Sequence, residues 1–365
     1  MMTATSAPSR LPLRRRILTV HRWLSLGAAV FWLLQAITGV LIMFHWEITD
    51  AAISSPHRAT DLTAIEHRID ALAPRSNGSM VSSVWTSAGY ADRYDISIED
   101  AQGDDRSVRV AGDGAELRTA PNSSSALMGT LVGFHHDLLG GDWGSWIVSI
   151  SGLLLFSNLV LGLITAWPRR GMWRASLTPT RRGPATARIY SWHRAIGLWA
   201  VIPALVAVGT GTLLKFEVGT ANLIGAESVS LPVNAPVGDP VGFATAAGAA
   251  LAAIPGSTLT AVTWPTADDA TFTIRVRAPG EMRRAYGGSV VLVDANTGAV
   301  RGTYPISEAD PARGFMSALF PIHTGEAGGL IGRLLSMAIG FWLISMIVIG
   351  MLLWAKRRRP RARKA

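Results

Sequence analysis

Two stretches of this chain are too long and too apolar for ordinary core helices, and they begin alike. VHRWLSLGAAVFWLLQAITGVLIMFHW runs from Val20 to Trp46, and YSWHRAIGLWAVIPALVAVGTGTLLKFE from Tyr190 to Glu217. At an offset of 172 positions His21 falls on His193, Arg22 on Arg194, Thr38 on Thr210, Gly39 on Gly211, Leu41 on Leu213 and Phe44 on Phe216. An apolar run of about 20 residues crosses the hydrocarbon core of a bilayer. Two such runs, each headed by a titratable and charged pair in register, read as one membrane element used twice.

The net charge of +9 is concentrated rather than spread. Residues 10–22, 169–194 and 356–364 hold 19 of the 34 Lys and Arg and none of the 25 Asp and Glu. These segments flank the apolar runs, as cytoplasmic loops of membrane proteins do. The remainder is acidic, which argues against a nucleic-acid partner and for the lipid bilayer as the partner. There is no cysteine. That excludes disulfides, thiolate zinc sites, iron–sulfur clusters and covalent haem attachment.

Hydropathy and turn residues divide the chain as follows. A basic tail (1–20) precedes a first transmembrane helix (21–46). Residues 47–125 read as one helix (Asp61 to Ala73) followed by a small antiparallel sheet. Residues 126–144 form a short helix carrying His135 and His136, broken at Gly140-Gly141, and lead into a second span (145–167). A basic loop (168–191) precedes the third span (192–216), which contains Pro203. Residues 217–314 repeat the helix-then-strands plan, with a hairpin turn at Asn296-Thr297-Gly298. A second His-bearing segment (315–333) leads into the last span (334–354) and a basic tail (355–365). The fold class is therefore integral membrane and α-helical: four transmembrane helices in two repeated pairs, with two small α+β domains outside. Both termini lie on the cytoplasmic side. Trp23, Trp167, Trp192 and Trp354 belong to one aromatic belt, and Trp46, Trp143 and Trp146 to the other.

A second offset, of 188, places His135 on His323, Gly140-Gly141 on Gly328-Gly329, Gly144 on Gly332, Gly152 on Gly340 and Gly162 on Gly350. Four of the eight histidines thus occupy repeat-matched places. His21 and His193 head spans one and three on one face; His135 and His323 precede spans two and four on the other. Neutral imidazole is a common axial ligand of haem iron. Two imidazoles from two helices clamp a b-type haem without any covalent link, so the pattern points to two haem b groups and an electron path across the bilayer. Ser25 and Gly197, four residues after His21 and His193, are small enough to let a flat macrocycle approach. Arg22 and Arg194 are candidates for its propionates, although positive-inside bias alone would also place them there. His136 rivals His135 as the outer ligand, and His45 also reaches that end. Thr-Gly at 38–39 and 210–211 reads as helix packing, and His57 and His67 as surface residues.

HRWLSLGAAVFWLLQAITGVLIMF, HHDLLGGDWG…LGLITAWPRR, WHRAIGLWAVIPALVAVGTG and IHTGEAGGLIGRLL…GMLLWAKRR, taken in order, resemble the PepSY-associated transmembrane family. The resemblance implies a multi-pass protein of the bacterial inner membrane, linked to iron acquisition, whose outer segments are periplasmic PepSY-like modules. It also implies an oxidoreductase: a di-haem reductase of ferric siderophores or other Fe(III) chelates, ligated by His21 and His193 and by His135 and His323. Electrons would come from quinol or a cytoplasmic reductase. Two other readings stand beside it. The helices could anchor non-catalytic PepSY binding modules, or form a metal or siderophore transporter; against the latter, the spans hold almost no carboxylates.

Overall fold

A computed structural model describes residues 13–358, apart from 54, 75–77, 88, 118–123, 227–238, 267 and 284. Most of the N-terminal tail and the end of the C-terminal tail lie outside the described residues. In chain order the elements are α1 (Leu13–Leu41), α2 (His45–Ala51), α3 (Leu62–Leu72), β1 (Met80–Thr86), β2 (Arg93–Glu99), β3 (Asp105–Ala111), α4 (Ser124–Asp137), α5 (Gly141–Ala166), α6 (Trp173–Leu177) and α7 (Ala185–Lys215). There follow α8 (Glu217–Ile224), α9 (Phe243–Ala253), β4 (Thr258–Thr263), β5 (Thr271–Arg277), β6 (Ser289–Asp294), β7 (Val300–Tyr304), α10 (Pro311–Thr324) and α11 (Gly329–Arg358). Two compact units emerge. One comprises residues Met1–Leu41, Gly133–Lys215 and Arg333–Ala365; the other comprises Ile42–Val132 and Phe216–Gly332.

The first unit holds the long helices. Among the described residues, four helical stretches are long and apolar enough to cross a membrane. The shortest, α5, has 26 residues, about 39 Å at ~1.5 Å per residue, against a hydrocarbon core of ~30 Å. The helices overrun the spans expected from hydropathy because a helix does not end where lipid ends: α1 already runs through Arg14, Arg15 and Arg16. α5 packs against both α1 and α7. Trp32 Nε1 donates to Ser151 Oγ across the α1–α5 seam (2.9 Å). Gly152 lies so near Thr212 that an added Cβ would stand 2.8 Å from its hydroxyl. On α11, Trp342 Nε1 donates to the Ile196 carbonyl of α7 (2.8 Å). The last carbonyls of α5 are met by cations, Arg14 on Thr165 O (2.7 Å) and Arg194 on Ala166 O (3.2 Å); positive charge at a helix C-terminus opposes its dipole.

The second unit corrects one expectation. The two segments between spans do not form two domains. They share a single seven-stranded antiparallel sheet of order β3-β2-β1-β4-β5-β6-β7. The join is β1 on β4, with Ser83 opposite Thr263, Val84 opposite Val262 and Trp85 opposite Ala261. Each strand would otherwise be an open edge with unpaired backbone groups, and pairing the two removes both edges. Alternation decides the core face: Tyr94, Ile96 and Ile98 on β2 and Phe272, Ile274 and Val276 on β5 are all buried. They pack with Ile65 and Ile69 of α3 and with Phe243, Ala246, Ala247 and Ala250 of α9. The alanines let α9 lie close on α3. Asp61 caps α3 by accepting from the amides of Thr63 and Ala64. Asp294 accepts from the amides of Asn296 and Thr297, shaping the expected β6–β7 turn, where Gly298 takes φ 74°.

Trp46 is a second correction. It is buried in the sheet unit rather than placed in a membrane belt. Its ring covers Gly89, where a Cβ would stand 2.9 Å away, and packs on Tyr286 and Phe320. Trp23, Trp143, Trp146, Trp167 and Trp192, by contrast, are exposed by the protein itself, as belt residues are.

The repeated glycines at the starts of α5 and α11 have a backbone cause. A Cβ on Gly144 would run into the Asp137 carbonyl, and one on Gly332 into the Gly325 carbonyl. The chain folds back on itself over the same seven-residue interval in both places. Gly141 and Gly329 take left-handed φ of 55° and 58°, which glycine adopts without steric cost. The room these glycines make is used by the chain's own turn.

Candidate functional site

His21 stands in the third turn of α1 and reaches α5. Its Nδ1 lies 3.1 Å from the Asn158 carbonyl oxygen. A carbonyl only accepts, so the proton is on Nδ1 and, in the neutral ring, Nε2 carries the lone pair. The approach depends on Gly162: a Cβ there would stand 3.1 Å from His21 Cε1. Asn158 Nδ2 donates to Ser25 Oγ (2.8 Å), and Ser25 Oγ donates back to the His21 carbonyl (2.6 Å). Three hydrogen bonds therefore close a ring through His21, Asn158 and Ser25.

His193 takes the matching place on α7. Its Cε1 faces Gly350 of α11, where a Cβ would lie 3.5 Å away. Its Nδ1 is buried and has no hydrogen-bond partner among the described residues. His21 and His193 thus come from two helices, each lying against a glycine of another: Gly162 of α5 and Gly350 of α11.

His135, near the end of α4, leans on α1. Its Nδ1 is 3.1 Å from Thr38 Oγ1. Thr38 already directs its own hydroxyl hydrogen to the carbonyls of Leu34 (2.9 Å) and Gln35 (3.1 Å). With that hydrogen on a carbonyl, the Thr38 oxygen is free to accept from His135 Nδ1. Gly39 clears the way, since a Cβ there would stand 3.0 Å from His135 Cε1. Thr38-Gly39, expected to serve helix packing, serves a histidine. His136 is exposed whereas His135 is half-buried, so the environment favours His135 of the two rivals. His323 ends α10, just before the Gly325 cap. His45 bonds the Ile42 carbonyl (2.7 Å) and packs on Trp46.

The two arginines divide. Arg22 is exposed and sits over the Trp23 ring (5.4 Å). Arg194 gives its Nε to the Ala166 carbonyl. Both places are explained by positive charge at a membrane surface and a helix C-terminus. Among the described residues there is no cluster of three or more His, Cys, Asp or Glu that could hold a metal ion. The repeated histidine pairs are the candidate ligands, and a macrocycle that supplies four ligands itself needs only two.

The family model of the PepSY-associated TM region matches residues 18–357. The chain belongs to this family. It is accordingly an integral membrane protein of the PepSY-associated group, with helices that meet the bilayer and an α+β unit between them. No curated protein matches the chain. Of the residues now seen around the histidines of this PepSY-associated protein, Gly162, Gly350, Thr38 and Gly39 carried a sequence signal, because all four are repeat-matched. Asn158 carried none: its repeat position holds Met346.

Proposed function

We propose that this PepSY-associated protein is a membrane reductase with two b-type haems, passing electrons from quinol or a cytoplasmic reductase to an Fe(III) chelate in the periplasm of a bacterium. The observation that carries the reading is the proton placement at His21. A neutral imidazole with Nδ1–H held by a backbone carbonyl presents Nε2 to a metal, and that outer hydrogen bond fixes the ring and raises its basicity. His193 supplies the second imidazole of the inner pair. The outer pair, His135 and His323, is proposed from the matched places of the two residues in the repeat. At His135 the Thr38 hydroxyl lies against Nδ1, in the place the Asn158 carbonyl takes at His21.

Bound at such pairs, haem supplies a one-electron iron couple, and a bis-imidazole site leaves no position for oxygen. The residues of the chain do the rest. Gly162 and Gly350 let the imidazoles seat against neighbouring helices. The overall reaction balances with two Fe(III) chelates reduced to Fe(II) for each quinol oxidised to quinone, with release of two protons. No acid–base pair is needed at the ferric end.

The test is the visible spectrum of the detergent-purified protein before and after dithionite, with haem quantified per chain. Soret and α bands of b-type haem at two per chain are expected. His21→Ala and His193→Ala should lose one haem, and His135→Ala and His323→Ala the other. A colourless protein from haem-replete cells would overturn the reading and leave a membrane anchor for the α+β unit. Loss of the outer haem on His136→Ala in place of His135→Ala would move that ligand by one residue. Anaerobic reoxidation by ferric hydroxamates, catecholates and citrate then tests the acceptor class; no reoxidation by any of them would overturn the reductase.

A further inference from the structure

The ring of hydrogen bonds around His21 has a counterpart in the second half, made of different chemistry. At the two offsets Ser25 corresponds to Gly197, and Asn158 to Met346. In the first half these positions touch through Asn158 Nδ2 and Ser25 Oγ, 2.8 Å apart. In the second half they also touch: a Cβ on Gly197 would stand 3.1 Å from Met346 Cε. So one contact is kept between α1 and α5 and between α7 and α11, but a polar pair has become a glycine with a thioether. The histidines follow. His21 Nδ1 donates to the Asn158 carbonyl, whereas His193 Nδ1 is buried without a partner among the described residues.

Packing alone gives no reason for the polar pair. Asn158 is 5% exposed, and its Oδ1 has no hydrogen-bond partner among the described residues. A buried acceptor left unmade costs roughly 1–3 kcal/mol, and a polar side chain inside a membrane span is expensive and usually functional. Met346 shows that an apolar side chain fills the equivalent place.

We infer that Asn158 and Ser25 are positioning residues which make the two imidazoles of the inner pair unequal, fixing His21 as a strongly donating ligand and leaving His193 compliant. The inference rests on the proposed haem reading. The chain of action is Ser25 to Asn158 to the α1–α5 seam to His21 Nδ1–H. A hydrogen-bonded imidazole is the more basic ligand and favours ferric over ferrous iron. His193, seated against Gly350 with no such anchor on its Nδ1 among the described residues, adjusts to what His21 holds.

The test exchanges the two contacts. One variant carries Ser25→Gly with Asn158→Met; the reverse carries Gly197→Ser with Met346→Asn. Three quantities are read on the haem-bearing protein: the midpoint potential of the inner haem, its low-spin electron paramagnetic resonance g-values, and the rate of haem transfer to apomyoglobin. The first exchange should raise the potential, shift the g-values and speed haem loss by about tenfold, the scale of outer-shell changes at metal sites. The reverse exchange should lower the potential and slow haem loss. Ser25→Ala should reproduce part of the first effect and Ser25→Thr, which keeps the hydroxyl, should restore wild-type values. If the first exchange fails to fold, the Ser25→Ala and Ser25→Thr pair decides. Haem present with unchanged potential, g-values and transfer rate in all variants would overturn this inference and leave the reductase standing; a wild-type chain without haem would overturn both.

Discussion

α11 and β6 are both apolar, and the molecule treats them oppositely. All six residues of β6 are buried. Of the thirty residues of α11, Arg333 alone is buried by the protein, and none of its most apolar 18-residue window is. The windows of the other spans are little better covered, at 22%, 17% and 11%. In the sheet unit apolar side chains leave water by packing on each other. In the helical unit they leave it by facing lipid, so the few protein contacts there are free to be small or polar. Three of the close contacts on the spans are at histidines: Gly162 on His21, Gly350 on His193, Gly39 on His135.

The largest test of that contrast is a matched pair of truncations. Phe272, fully buried among Ile274, Phe243 and Trp264, should cost ~3–5 kcal/mol on change to Ala. Leu335 on α11, 60% exposed, should cost under ~0.5 kcal/mol in lipid or detergent. Thermal unfolding of the full chain, followed by near-ultraviolet circular dichroism, compares them. Equal losses would break the contrast and reveal a protein partner on α11.

A smaller effect is expected at the turn between α4 and α5. Leu138 and Leu139 both take left-handed φ, 57° and 59°, which costs an L-residue roughly 1–2 kcal/mol. Their repeat positions are Glu326 and Ala327, while the second turn places its left-handed residues at Gly325 and Gly329. Leu138→Gly should relieve part of that strain and raise the melting midpoint by a few degrees, on the scale of ~1 kcal/mol. A lowered midpoint would mean that the Leu138 side chain holds the turn more than its backbone opposes it.

The smallest effect is one of pH, in the sheet unit. His57 bonds Asp92 (2.9 Å) and Asp50 (3.0 Å). The Asp92 hydrogen bond, ahead of the charges of Asp92 and Asp50, raises its pKa above the ordinary value. A raised folded pKa contributes stability that is fully present below about 6.5 and lost as pH rises through the folded value. The melting midpoint of the wild type should exceed that of His57→Gln near pH ~6, and the gap should narrow towards pH ~8. The ring is half exposed, so solvent screens the pair and the gap is small. A gap that widens with pH would refute the assignment of a charged His57.

Much of this was legible in one dimension. Most of the expected strands are present within a residue or two, because alternation such as Tyr94, Ile96, Ile98 reports a half-buried strand locally; the short run from Ala115 forms only an isolated bridge at Glu116 and ends outside the described residues. The α3 cap at Asp61 and the Asn296-Thr297-Gly298 turn are local chemistry too. Lipid exposure made the spans legible, since an unbroken apolar run needs no partner to explain it. α2, α6 and α8 escaped notice because they are short and lie where hydropathy changes sign.

The sequence alone determined four spans, their basic flanks and the register that matches His21 with His193 and His135 with His323, since each depends on composition or spacing along the chain. Only the tertiary structure decided that Val84 of β1 meets Val262 of β4, turning two expected domains into one sheet. It alone set His21 Nδ1 opposite the Asn158 carbonyl and His135 Nδ1 opposite the Thr38 hydroxyl. Those pairings join residues roughly a hundred or more positions apart. A carbonyl's direction and a glycine's clearance are set by how two helices or strands meet, and no local pattern of side chains encodes that.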